Sequence, residues 1–150
     1  MSAWWISAGE SAEVRGAACE CLGVAGDRNA LPTLKGCLRD RVWFVKMQAV
    51  QAMENLLGDE CVGAVIDLIN DNSWLVIDGV KKVLVKHVES ALPYLENFLA
   101  GEDPLSRNIA VEVIESSGYT EKLYTDLLAD GAPRGKALDL LKRMIKAGAY

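Results

Sequence analysis

The apolar residues of this chain follow two periods, a short one within each segment and a long one between segments. From Val14 onward, small and apolar side chains recur at the spacing that places them on one face of an α-helix. They are Val14, Ala17, Ala18, Cys21, Leu22 and Ala25. The same template starts again at Val45, Val76 and Ser106, about thirty residues apart each time. A fixed long period of this kind is typical of a stacked repeat array.

A second apolar stripe follows each of these predicted helices after a short turn. The second stripes start at Ala30, Cys61, Ala91 and Leu123. A last stripe, from Ala137 to Ile145, predicts a closing helix. No segment alternates apolar and polar residues over a sustained length, so we expect no β-sheet. The pattern therefore predicts an all-α fold of about four helix pairs plus a C-terminal capping helix.

Turn-forming residues separate the predicted helices. Gly26-Asp27 and Gly58-Asp59 each combine a glycine that tolerates positive φ with an aspartate near the next helix start. Three polar side chains are predicted helix N-caps: Ser90, Thr120 and Asp103, the last followed by Pro104 at the first helical position. Two further prolines are predicted in the first turn of their helices, where no hydrogen bond is lost: Pro32 and Pro93.

The helix and turn residues together resemble a known family pattern, roughly D-x-x-x-x-V-R-x-x-A-x-x-A-L-x-x-L-G-D-x-x-A-L-P-x-L. The stretch from Val14 to Leu34 matches it, and the stretch from Val45 to Asp59 matches it again. The chain thereby resembles HEAT repeats, specifically the short bacterial type first recognised in phycobilisome lyases. This resemblance implies a right-handed α-solenoid. It also implies a ladder between helices, with aspartates facing the basic residues Arg15, Lys46 and Arg107, that is interrupted at Ile77.

On this template, residues 1–150 are interpreted as a single HEAT-like repeat domain. Its predicted parts are an N-terminal segment (1–9), four repeats (10–40, 41–71, 72–101 and 102–131) and a capping helix (132–150). The outer face of the last helix carries Lys142, Arg143 and Lys146, and a polar outer face is what the end of an array requires.

The formal charge of the chain is −5, and its acidic and basic residues are interspersed. This balance argues against a nucleic-acid-binding surface, although a local basic patch is compatible with an acidic total. No apolar run approaches the about 20 residues of a membrane span. The N-terminus also lacks the basic region of a secretory signal. We expect a cytoplasmic protein with no nucleic-acid partner and no membrane insertion.

No group of residues indicates catalysis or metal binding. Cys19 and Cys21 form a C-x-C pair, while Cys37 and Cys61 are isolated, so zinc spacing is absent. Cys21, Cys37 and Cys61 fall in predicted core columns, where cysteine behaves as a small hydrophobe. His87 is the single histidine, and the spacing places no nucleophile or carboxylate beside it. We therefore predict no enzyme activity, no cofactor and no metal.

Exposed aromatic and polar positions are the candidates for binding. Trp43 and Trp74 occupy the same place in successive repeats, and we predict that they form an apolar patch on one edge of the array. The alternative is that each ring packs over its own turn. The outward positions of the second helices define the predicted concave face: Thr33, Gly36, Ala64, Asp67, Tyr94, Asn97 and Asp126. The predicted protein-binding residues are Trp43, Trp74, Asp67, Tyr94 and Asn97.

The sequence thus predicts a non-catalytic interaction or scaffold module that binds a protein or peptide through its concave face or its tryptophan-bearing edge. A different class stays open, namely a helical-repeat enzyme similar to bilin lyases or DNA glycosylases. Self-association is a third hypothesis, because Trp4, Trp5 and Ile6 could form a homodimer contact. The same three residues could instead cap the first helix pair within the chain.

Overall fold

The computed structural model describes residues 11–129 and 134–148, and within them all regular secondary structure is helical. The α-helices of these residues are α1 (Ala12–Ala25), α2 (Leu31–Cys37), α3 (Trp43–Leu57), α4 (Val62–Val65), α5 (Trp74–Lys86), α6 (Val88–Ala100), α7 (Pro104–Ser116), α8 (Tyr119–Leu128) and α9 (Arg134–Lys146). Short 3₁₀ segments span Arg28–Ala30, Gly58–Cys61 and Ile66–Asn70. In this part of the chain, the predicted order of four helix pairs and a final helix is confirmed.

The chain divides into two compact units, Met1–Val83 and Leu84–Tyr150. In the first unit, α1 and α2 both pack against α3, while in the second α6 packs on α7 and α9 packs on α6 and α8. Each unit buries its own set of aliphatic side chains. The largest fully buried ones include Leu34, Val45, Met53, Val65 and Ile69 in the first unit and Leu95, Ile114 and Met144 in the second.

The ends of α1 follow from its flanking residues. The Ser11 hydroxyl accepts a hydrogen bond from the Val14 amide at 3.3 Å and caps the helix N-terminus. Gly26 ends the helix with φ of 72°, a left-handed conformation that a side chain would resist. The Asp27 carboxylate then accepts the Asn29 amide at 2.9 Å and starts the next turn. Gly58, at the equivalent place after α3, also has positive φ, so both predicted glycine turns are confirmed.

The buried face of α1 differs from the predicted one. Val14 and Cys21 are exposed, and the buried residues of this helix are Arg15, Gly16, Ala18, Cys19 and Gly23. Relative to the predicted orientation, α1 is rotated about its own axis because Gly16 and Gly23 allow close contact with α3. A Cβ on Gly16 would lie 3.3 Å from the Phe44 ring, and one on Gly23 would lie 2.8 Å from the Ala52 Cα. The prediction that Cys21 occupies a core column was therefore wrong.

The second helix of the second repeat is less regular than its apolar stripe suggested. Only α4, of four residues, is α-helical, and 3₁₀ segments precede and follow it. Valine, isoleucine and glycine dominate this stretch, and all three have poor helix propensity. Its apolar side chains are nevertheless buried, including Val62, Val65, Ile66 and Ile69. Burial therefore holds the stretch in place although its local geometry is mixed.

Helix α6 begins earlier than predicted. His87 stands at its N-cap without a side-chain capping bond, and the helix starts at Val88. Ser90 therefore lies inside the helix, and so does Pro93. The prediction that Ser90 caps this helix and the prediction that Pro93 falls in its first turn were both wrong. Pro32, by contrast, lies at the start of α2 as expected.

Helices α7 and α8 begin with different caps. Asp103 accepts the Ser106 amide at 3.0 Å and Pro104 opens α7, as predicted. Thr120 lies inside α8 and does not cap it, since Gly118, with φ of 74°, occupies the N-cap. The Ser117 hydroxyl accepts a hydrogen bond from the Tyr119 amide at 3.2 Å. This bond satisfies one of the N-terminal amides that have no partner within the helix.

Candidate functional site

Two ion pairs connect successive repeats within the first unit. Arg15 of α1 donates two hydrogen bonds to Asp40, from Nε at 2.7 Å and from Nη2 at 3.0 Å. One repeat later, Lys46 of α3 donates to Asp71. Both pairs are largely shielded from water, and Arg15 is only 3% exposed. The predicted ladder therefore has two rungs here, and Ile77 has no charge with which to continue it.

Each aspartate of the ladder also fixes the start of a first helix. Asp40 Oδ1 accepts the Val42 amide at 2.9 Å, and α3 begins at the next residue. Asp71 Oδ1 accepts the Ser73 amide at 2.9 Å, and α5 again begins at the next residue. We call these turns the first corner (residues 39–43) and the second corner (residues 70–74). One carboxylate thus serves both a rung and a helix start.

The charges at the corners shift the carboxylate pKa values. The hydrogen bond from Arg15 lowers the pKa of Asp40, and the Val42 amide adds to this effect against the cost of burial. Burial raises the pKa of Asp71, but the hydrogen bonds from Lys46 and from the Ser73 amide outweigh it and leave the pKa below its ordinary value. Both carboxylates are therefore ionised at neutral pH and available to the ladder.

The two predicted binding tryptophans are the first residues of α3 and α5, directly after the corners. Trp43 is 45% exposed, and its ring meets Phe44 edge to face with centroids 5.9 Å apart. Trp74 is 71% exposed. Packing against neighbouring side chains therefore buries part of the Trp43 ring and little of the Trp74 ring. We call this pair the tryptophan edge.

A groove of about 490 Å³ lies beside the first corner, and we call it the arginine groove. Its lining residues are Arg15, Pro32, Thr33, Gly36, Cys37, Arg39, Asp40 and Arg41. Thr33 and Gly36 were predicted as outward positions of a second helix, and they do line an open surface. The arginines at 39 and 41 were not predicted as site residues, because the acidic total charge hid them. Comparing equivalent positions would have found them, since the second corner has Asn70 and Asn72 there.

The remaining predicted site residues are exposed but lie in different units. Asp67 belongs to the 3₁₀ segment Ile66–Asn70 of the first unit. Tyr94, 38% exposed, and Asn97 lie on α6 in the second unit. A groove of about 400 Å³ in the second unit is lined in part by Glu89, Glu96 and Asp126, but not by Tyr94 or Asn97.

The cysteines are mostly packing residues. Cys19, Cys37 and Cys61 are buried, whereas Cys21 is exposed. A hydrogen bond from the Cys19 thiol raises the pKa of Cys19 and lowers that of Cys37. Over the described residues, no three metal-binding side chains come together.

A family model described as HEAT repeats matches residues 3–84, more than half of the 150 residues. The chain therefore belongs to the HEAT-repeat family, and the predicted all-α solenoid class is confirmed. Repeats of this family generally mediate protein–protein interaction or act as scaffolds. No curated protein matches the sequence. None of the described helices is long and apolar enough to cross a membrane.

Proposed function

We propose that this chain is a non-catalytic binding module that holds a protein partner at the tryptophan edge. One observation carries the proposal: the same large apolar side chain, Trp43 or Trp74, stands exposed at the same position of two successive repeats. Exposed tryptophan is uncommon on a surface that contacts only water, whereas tryptophan is enriched among the residues that dominate binding energy at protein interfaces.

The backbone that carries these two side chains is held before any partner arrives. Asp40 and Asp71 each bind both a basic residue of the preceding first helix and an amide at the helix start. The backbone position from which each indole projects is therefore set by part-buried hydrogen bonds. A preorganised contact loses less conformational entropy on binding, which favours affinity.

The concave face stays a second candidate surface for the same function. Asp67, Tyr94 and Asn97 are exposed, and tyrosine offers rigid apolar area with a hydroxyl at low entropic cost. We keep as predictions the cytoplasmic location, the homodimer through Trp4, Trp5 and Ile6, and the exclusion of nucleic acid. Trp4, Trp5 and Ile6 lie outside the described residues.

The family membership supports an interaction role more than an enzymatic one, since its repeats generally act as scaffolds. The resemblance to the short bacterial, phycobilisome lyase-like type stays a hypothesis. So does the helical-repeat enzyme alternative in its two forms. A lyase-like activity would appear as a change in visible absorbance when bilin is added, and a glycosylase-like protein would bind DNA at physiological salt.

The proposal is tested by affinity capture with three forms of the intact chain as bait: the unaltered protein, a Trp43→Ala/Trp74→Ala variant and a Tyr124→Ala variant. Tyr124 is an exposed aromatic residue in the second unit, so its removal controls for the loss of apolar surface. We expect a protein that is captured by the unaltered and Tyr124→Ala forms and lost from the double variant. With that protein purified, we expect binding at least tenfold weaker for the double variant.

Circular dichroism checks that all three baits are folded. A partner retained equally by the double variant contradicts the tryptophan edge as the binding surface. In that case Tyr94→Ala/Asn97→Ala and Asp67→Ala baits test the concave face. If all three baits are folded and none captures a protein, the proposal that this chain is a protein-binding module is contradicted.

A further inference from the structure

The arginine groove is positively charged in a chain whose formal charge is −5. Three guanidinium groups and one carboxylate line it, and its other lining residues are neutral or mostly so: Pro32, Thr33, Gly36 and Cys37. A structural role and a ligand are two distinct explanations for a local charge of this sign within an acidic protein. The contacts of the three arginines show which of them have a structural role.

Only one of the three arginines has a structural role that the contacts reveal. Arg15 is buried and forms the bidentate pair with Asp40. Arg39 and Arg41 are exposed, and neither forms an ion pair with a carboxylate of residues 11–129 or 134–148. Two exposed guanidinium groups therefore flank, in sequence, a carboxylate that Arg15 already neutralises.

The second corner shows that the turn does not need these two cations. Asn70 and Asn72 occupy the positions of Arg39 and Arg41, and the carboxylate between them still accepts an amide and a basic side chain. The helix after it also starts at the equivalent residue. The equivalent turn therefore forms with asparagine at both positions, and the arginines of the first corner add hydrogen-bond donors and positive charge, of which the charge of Arg41 also helps to lower the pKa of Asp40.

Guanidinium groups recognise planar anions, carboxylates and phosphates, through two parallel hydrogen bonds. The volume of the groove, about 490 Å³, falls in the range of sites that enclose a small ligand or a few side chains. Among the lining residues Pro32 is apolar and Gly36 has no side chain, and Trp43 follows Arg41 by two residues.

We propose that the arginine groove binds an acidic segment, rich in Glu or Asp, of the protein partner. This inference rests on the proposed function, because it names the chemistry of the partner that the tryptophan edge holds. Nucleic acid is a poorer fit, since phosphate chains are bound by basic surfaces that extend over several nucleotides and the rest of this chain is net acidic. Steering by the two arginines would also raise the association rate at low salt.

The test measures fluorescence anisotropy of a labelled Glu-rich peptide and of a counterpart with Gln in place of every Glu. The informative variant is Arg39→Asn/Arg41→Asn, which gives the first corner the side chains of the second. The matched control is Arg28→Asn/Lys35→Asn, which removes the same charge from exposed positions of the first unit that do not line the groove. Thermal unfolding checks that both variants keep the stability of the unaltered protein.

We expect the unaltered protein and the control variant to bind the Glu peptide and to lose affinity as salt rises. The Arg39→Asn/Arg41→Asn variant is expected to bind at least tenfold more weakly and with a shallower salt dependence. None of the three proteins should bind the Gln peptide. Equal binding of the Glu peptide by the two variants, equal binding of both peptides, or no binding by the unaltered protein would each overturn the proposal.

Two further measurements complete the test: RNA competition checks the class of ligand, and affinity capture with the Arg39→Asn/Arg41→Asn variant as bait separates this inference from the proposed function. A single-stranded RNA that outcompetes the Glu peptide at physiological salt overturns the choice of a protein segment. A captured partner that depends on Trp43 and Trp74 but not on Arg39 and Arg41 leaves the proposed function standing and removes the inference. Glu-peptide binding that depends on the arginines, with no partner lost from the tryptophan variant, removes the tryptophan edge alone.

Discussion

The first and second corners have the same backbone design and different chemistry. In both, an aspartate binds the preceding first helix and an amide, and a tryptophan opens the next helix. The first corner has two hydrogen bonds from Arg15, two flanking arginines and a tryptophan that packs edge to face against Phe44. The second uses the one-point contact of Lys46, two asparagines and a more exposed tryptophan. The comparison shows which parts of a corner build the repeat and which parts vary without altering it.

The largest expected effect comes from removing the rung of the first corner. Arg15→Ala leaves the mostly buried carboxylate of Asp40 without its bidentate partner, and an uncompensated charge of this kind is strongly destabilising. We expect the midpoint of thermal unfolding to fall by roughly 10 °C. Lys46→Ala should lower it less, because the ammonium contributes a single contact and the lysine side chain is 17% exposed against 4% for that of Arg15, even though the Asp71 carboxylate is slightly more buried than that of Asp40. Equal losses for the two variants would show that the rungs are equivalent.

The next effect concerns the spacing between first helices. Gly23→Ala places a Cβ 2.8 Å from the Ala52 Cα, where backbone must move, and we expect a loss of about 2 kcal/mol in the free energy of unfolding. Gly79→Ala meets only the end of the Met47 side chain, which can turn away. The gain of about 1 kcal/mol in helix propensity then offsets the crowding, so the net change should be close to zero.

Denaturant titration of both glycine variants makes this comparison. Gly36→Ala is the control, since a Cβ at this helical position meets nothing within 4 Å. A Gly23→Ala protein as stable as the unaltered chain would mean that α1 and α3 do not approach as closely as the structure indicates.

The smallest effect is on pH dependence. The pKa values of Asp40 and Asp71 are lowered by folding, so their stabilisation is complete above the ordinary aspartate pKa of about 4 and is lost as pH falls through the lower folded-state values. We expect a roughly constant unfolding midpoint between pH 5 and 7 and a fall of a few degrees below about pH 4. Asp40→Asn should weaken this dependence more than Asp71→Asn, because burial opposes the lowering of the pKa at both carboxylates but is the largest single contribution only at Asp71. A fall that begins above pH 5 would point to other groups.

The long period of the sequence places Asp40 and Asp71 at equivalent positions of two repeats, with a basic residue at a fixed distance before each, and the resemblance to HEAT repeats implied that these residues form a ladder. The sequence also predicted the glycine turns at 26 and 58. It misplaced the face of α1, since apolar periodicity cannot show that Gly16 and Gly23 contact a neighbouring helix while Val14 faces water. It could not foresee the mixed geometry around α4, where tertiary burial holds residues with poor helix propensity.

The candidate site was predicted in part. The exposure of the tryptophans was predicted because both stand at the same helix-start position of successive repeats, and their role in binding stays a prediction. Arg39 and Arg41 were missed because total charge averages over the chain, whereas binding depends on charge at one place. Their signal lies in the difference between equivalent positions, which a search for similarity between repeats discards. Asp67, Tyr94 and Asn97 were predicted from their outward spacing, and they stay predictions as binding residues.

The dual role of Asp40 has a mechanical consequence. A partner that pulls on Trp43 transmits tension into the first turn of α3, then through Asp40 into the two parallel hydrogen bonds of Arg15 and so into α1. At the second corner the same path runs through Lys46, whose single contact can rotate and release. Under load the two corners would therefore yield in sequence, the lysine rung before the arginine rung, and the module would lengthen in steps.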